Sequence, residues 1–119
     1  MDSKQLVQII SQIIFDKKGV NILALEVGHF SSVTDFMILA EGNVERHVGA
    51  IAQAIVTELR DEYGIRPVRV DGLSESDWVL LDYSDVIIHL MLPSIREKFQ
   101  LEELWSEGKR VDLDLSLTS

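Results

Sequence analysis

Apolar residues recur at helical intervals over two long stretches of the chain, and in alternating or continuous runs over five shorter ones. From about Ser3 to Lys18, Leu6, Ile9, Ile10, Ile13 and Ile14 fall on one helical face. Asp2 or Ser3 can cap this helix, Lys17 and Lys18 suit the negative end of its dipole, and Gly19 fits a left-handed exit. From Asn43 to Tyr63, Val44, Val48, Ile51, Ile55 and Leu59 step by four, three, four and four, which makes a single stripe. Asn43 is the expected N-cap of this second helix, and Gly64 and Pro67 are its expected stop.

The shorter runs read as strands. Val20–Val27 is apolar enough to be buried, and Asp35–Ala40 ends at Glu41-Gly42. Val68–Val70 precedes an Asp71-Gly72 turn. Trp78–Leu81 and Val86–Leu92, joined by Asp82-Tyr83-Ser84-Asp85, read as a β-hairpin. Val86-Ile87-Ile88 suits a central strand covered on both faces. Pro93 ends the ladder because it has no amide hydrogen, and Ser94–Trp105 returns to near-helical spacing. The predicted fold is α/β (α+β): a mixed sheet of about five strands packed with helices. Residues 1–105 form one domain and 106–119 a tail, either loose or an edge strand, with Val111, Leu113, Leu115 and Leu117 alternating.

Composition narrows the function. The chain has 119 residues with 20 acidic and 11 basic side chains, a formal charge of −9 that repels phosphate backbones. Direct nucleic-acid recognition is therefore not expected, and a basic protein partner is favoured if the charge does more than maintain solubility. Without cysteine there is neither a disulfide framework nor a zinc-thiolate site. Neither a secretory signal nor a membrane-spanning apolar run is present, so a soluble, cytoplasmic protein is expected.

Candidate chemistry is sparse. His89 reads either as a sheet-face histidine or as an acid–base partner of Asp82 or Asp85. Asp112 and Asp114 have the spacing of a magnesium pair but fall in the tail, where solvated charge is the default. Glycine-rich phosphate loops, His-x-x-x-His spacing and nucleophile elbows are all missing, so neither cofactor nor metal is expected. Aromatics are more informative. Alternation puts Trp78, Leu80 and Asp82 on one face of their strand and Val79, Leu81 and Tyr83 on the other. Aromatics and Arg96 are residue types enriched in binding hot spots, while Trp78 and Trp105 can equally be core residues.

Asp35-Phe36, Gly42, Arg46-His47-Val48, Asp71-Gly72, Trp78-Val79-Leu80-Leu81-Asp82-Tyr83, Asp85, His89, Arg96, Phe99 and Leu101-Glu102-x-Leu104-Trp105 together resemble the ribosomal silencing factor (RsfS, or Iojap) family. The resemblance extends up to Trp105. It implies a dimeric protein related in fold to nucleotidyltransferases but without their active site. It also implies binding to the fourteenth protein of the large ribosomal subunit, which blocks small-subunit joining and represses translation when nutrients are short. Carried over residue by residue, the partner surface is Trp78, Leu80, Asp82, Tyr83, Arg96, Phe99, Leu101, Glu102 and Trp105, with Asp35 and His89 positioning it. The chain departs from the family's pattern at Asp71 (usually glutamate), Ser84 (usually glycine), and Phe36 and Phe99 (commonly tyrosine). The alternative is a small nucleotidyltransferase-like or hydrolytic enzyme using Asp82, Asp85 and His89.

Overall fold

A computed structural model of the chain describes residues 1–29, 31–100, 103 and 106–116. In chain order the elements are α1 (Ser3–Asp16), β1 (Val20–Glu26), β2 (Phe36–Glu41), α2 (Glu45–Tyr63), β3 (Arg69–Asp71), β4 (Trp78–Asp82), β5 (Val86–Met91), α3 (Pro93–Phe99) and β6 (Lys109–Arg110).

The helix termini follow local chemistry, with two departures. At α1 the Asp2 carboxylate accepts from the Gln5 amide and the Gln5 side chain accepts from the Asp2 amide, a reciprocal capping box. The left-handed exit falls on Lys18, φ 68°, rather than on the expected Gly19. Gly19 is required for a different reason: a Cβ there would collide with the Ile14 side chain. The N-cap of α2 is Val44, not Asn43, and it makes no side-chain cap bond. Asn43 instead donates its amide to His47 Nδ1 (2.9 Å), while His47 Nε2 donates to the Lys17 carbonyl (2.7 Å), clipping α2 to the end of α1. Val48, Ile51, Ile55 and Leu59 are fully buried, but Val44, expected in the same stripe, is 56% exposed. Gly64 ends the helix in the left-handed conformation, as its position predicted.

The strands form one mixed sheet of six, in the order β3-β4-β5-β2-β1-β6. Only β2 and β5 run parallel. The sheet is one strand larger than expected because the two-residue β6 pairs with β1 through Leu25 and Glu26. The chain is α+β with β2 and β5 central, and every residue of β2 is buried. The expectation of a buried β1 holds only for its second half. Val20 and Asn21 are exposed, and Asn21 takes a positive φ of 52° at a bulge that shifts the register before Leu23.

Helices α1 and α2 cover one face, burying Phe36, Ile38, Ala40, Val79, Leu81, Val86, Ile88 and Leu90 beneath them. A smaller cluster on the opposite face joins Leu25, Val27, Met37, Leu39 and Met91, with Leu23, Trp78 and Ile95 packed against it. The hairpin between β4 and β5 has the predicted antiparallel pairing. Its turn places Ser84 at φ 72°, held by an Asp82 carboxylate that accepts the Ser84 amide at 2.8 Å. A side chain there carries left-handed strain that glycine would not. Ser84→Gly is therefore expected to stabilise the fold by about 0.5–1 kcal/mol, read as a higher urea midpoint at unchanged slope. An unchanged or lowered midpoint would show that the strain is already relieved.

Candidate functional site

The face opposite α1 and α2 is only partly covered, and strand register decides which side chains meet there. Across the sheet, Leu80 pairs with Asp71 and His89, His89 pairs with Leu39, and Leu39 pairs with Leu23. Trp78, one pleat away on β4, pairs with Met91. Alternation sends all of these side chains to the same face.

Pro93 opens α3 at its first position, where its missing amide costs nothing. That short helix crosses the Trp78 end of the face. The Phe99 ring lies 5.2 Å from the Trp78 ring at 43°, and the His89 ring lies 5.9 Å away at 53°. The indole Nε1–H of Trp78 donates to His89 Nδ1 at 3.0 Å. Because indole nitrogen can only donate, that imidazole nitrogen must be the unprotonated one. Burial also pushes the His89 pKa down to about 4. Trp78, Leu80, Asp82 and His89 are each half-buried. Phe99 is 46% exposed with the Lys98 ammonium 5.4 Å from its ring centre. The result is a shallow apolar surface, with Trp78, Leu80 and Phe99 at its centre and Asp82 on the same face of β4.

Tyr83 and Arg96, predicted for this surface, are buried away from it, and Asp35, predicted to position it, lies at a distance. Tyr83 is on the helix-covered face, 7% exposed and part of the main core. Strict alternation along β4 already separated it from Trp78. Burial pushes its hydroxyl up to about 12. Arg96 is 9% exposed, and its guanidinium forms a buried ion pair with Glu41 (3.2 Å). The same group donates to the Asn21 carbonyl. Asp35 lies beside the Phe36–Val86 pair, at the opposite end of β5 from Trp78; its carbonyl accepts from Val27 and Gly28. Leu101, Glu102 and Trp105 lie outside the described residues. Sequence reasoning missed Glu41 and Ile95. A lone acid closing an otherwise apolar strand was the available signal for Glu41.

The three enzyme candidates serve separate local roles. The Asp82 carboxylate holds the turn amide of Ser84. The Asp85 carboxylate accepts from Ser3 Oγ (3.3 Å) at the start of α1, and His89 faces Trp78. No group of three or more metal-ligating side chains occurs among the described residues, and none of their helices is long and apolar enough to cross a membrane.

Known proteins resemble the chain over nearly its whole length and in fold. The profile of the family described as "Ribosomal silencing factor during starvation" matches residues 1–119. The chain is 34% identical over 117 residues to the Ribosomal silencing factor RsfS of Bacillus subtilis, covering 98% of each protein. It is 30% identical over 92 residues to the mouse protein named Mitochondrial assembly of ribosomal large subunit protein 1, covering 72% of this chain and 39% of that one. A crystal structure of a Chromobacterium violaceum protein superposes with a TM-score of 0.86 at 30% identity, covering 98% of this chain and 95% of that one.

Proposed function

Because the chain belongs to the ribosomal silencing factor family, we propose that it represses translation by docking on the large ribosomal subunit through that subunit's fourteenth protein and so blocking small-subunit joining. The single observation that carries the docking surface is the half-exposed cluster of Trp78, Leu80 and Phe99 on the less covered face of the sheet. Large aromatics whose rings are already ordered by neighbours lose little freedom on binding and make effective anchors. The net charge of −9 suits a basic ribosomal protein and disfavours bare RNA, so Asp82 would steer the encounter more than tighten it. The name of the mouse relative supports the large subunit as the partner. In this reading the protein is a cytoplasmic binder and not an enzyme, and it works as a homodimer.

The direct experiment adds the protein to purified large subunits and scores both co-sedimentation and the joining of small subunits. Co-sedimentation with loss of joined ribosomes is expected. Co-sedimentation with joining intact would replace silencing by an assembly role, and no co-sedimentation at moderate salt would overturn the reading. Trp78→Ala is expected to weaken subunit binding by about 2 kcal/mol, roughly thirtyfold, while retaining a cooperative unfolding transition. Tyr83→Phe is expected to leave binding unchanged, since that hydroxyl is in the core. A binding loss in Tyr83→Phe without any in Trp78→Ala would relocate the surface.

A further inference from the structure

Residues 111–116, which follow β6, do not leave the molecule. The amide of Val111 donates to the Ala24 carbonyl (2.8 Å), and residues 111–116 then run along the outside of α1. Two glutamines hold them there. Gln8 Nε2 donates to the Asp114 carbonyl (2.7 Å) while Gln8 Oε1 accepts the Asp114 amide (3.1 Å). One helical turn on, Gln12 Nε2 donates to the Ser116 carbonyl (2.8 Å) while Gln12 Oε1 accepts the Ser116 amide (3.2 Å).

A carboxamide carries a donor and an acceptor side by side, like a peptide group, so each glutamine acts as one rung of a β-ladder. The spacing explains why two rungs fit. Four residues of α-helix rise about 6 Å, and two residues of extended chain rise about 6.5 Å. A helix with glutamine at every fourth position therefore matches every second residue of a parallel extended segment. One step earlier the same register sets Lys4 against Asp112, and both line one cleft of about 450 Å³ with Val7, Val111 and Leu113. Val111 and Leu113 pack on the main core, while Asp112, Asp114 and Ser116 face outward.

We propose that Gln8 and Gln12 make α1 a docking site that reads the main chain of an extended segment, and that the chain's own residues 111–116 occupy it as a detachable strap. Main-chain bonds supply the hold, and apolar residues at alternate positions supply selectivity, as in strand addition to a sheet edge. The site is on the helix-covered side of the sheet, because α1 packs on β1, β2 and β5. It is thus separate from the Trp78 face.

Amide exchange in the full chain tests the strap. The Asp114 and Ser116 amides are expected to exchange at least about tenfold more slowly than in a free peptide of residues 109–119. Gln8→Ala with Gln12→Ala should abolish that protection while the Ile38 and Ile88 amides keep theirs; alanine preserves the helix. A full-length chain carrying Asp114→Pro and Ser116→Pro loses both donors and should free the site. A labelled 109–119 peptide should then bind this chain saturably, and at least about tenfold more tightly than it binds the wild type, whose own tail competes. The same peptide should not bind once Gln8→Ala and Gln12→Ala are added. Free-peptide exchange rates in the wild type, protection indifferent to the glutamines, or peptide binding indifferent to them would each overturn the proposal.

Discussion

Arg96→Leu is expected to cost about 3–5 kcal/mol of folding stability, a large share of what a single domain possesses. The reason is the partner left behind. Glu41 closes β2, a central strand, with its side chain only 9% exposed. One carboxylate oxygen meets the Arg96 guanidinium at 3.2 Å and the other accepts from Asn21 Nδ2 at 3.0 Å. Without the arginine, a carboxylate closing a buried strand is left with one neutral donor, at the wall of a cleft that it shares with Asn21 and Pro93. Replacing both partners removes the stranded charge, so Glu41→Leu with Arg96→Leu should recover most of the loss and settle within about 2 kcal/mol of the wild type. Urea unfolding of the two single variants and the double variant closes the cycle. A cost below about 1 kcal/mol for Arg96→Leu alone would show that water reaches Glu41. The same variant should also weaken large-subunit binding. The ion pair ties α3 to the sheet, and α3 delivers Phe99 to the Trp78 ring.

The parts of this molecule that were legible in its sequence are those set by near neighbours. The stripes of α1 and α2, the left-handed Gly64, the hairpin and the stop at Pro93 depend on periodicity and on residues a few positions apart. Alternation also assigned Trp78, Leu80 and Asp82 to a common face, and with it most of the candidate surface. What stayed hidden depends on distant contacts. Arg96 reads as a surface hot-spot residue until Glu41, 55 positions earlier, is brought against it. Tyr83 travelled with the motif around it, although its parity along β4 placed it in the core. The tail, expected to be loose or an edge strand, adds the short edge strand β6, but its course along α1 stayed hidden because its partners, Gln8 and Gln12, lie 106 and 104 residues away. Asn43 is the better cap by residue type, yet its amide is drawn to His47, which must also reach Lys17. In that contest a tertiary clip between two helices outweighed a local preference.

Acid should destabilise the fold through His89 by about 2 kcal/mol at pH 5 and about 3 kcal/mol at pH 4, relative to neutral pH. The folded-state pKa, about 4, lies below the 6.5 of an unperturbed imidazole. Between those values the unfolded chain binds a proton that the folded chain refuses, so stability falls as pH falls through that window. Burial is the cause of the shift, and the Trp78 hydrogen bond acts in the same direction, because a protonated Nδ1 could no longer accept the indole N–H. With 20 acidic residues the wild-type profile alone would not isolate this one group. His89→Gln supplies the comparison: its amide oxygen can accept from Trp78 Nε1 but does not titrate. The difference in unfolding free energy between wild type and His89→Gln should therefore slope by up to about 1.4 kcal/mol per pH unit between pH 6.5 and 4, against the wild type. A flat difference would mean that the folded protein binds the proton without resistance. If the slope is found, large-subunit affinity at pH 5 should be unaltered, because a folded-state pKa of about 4 leaves most folded chains with a neutral His89 that keeps Trp78 in place.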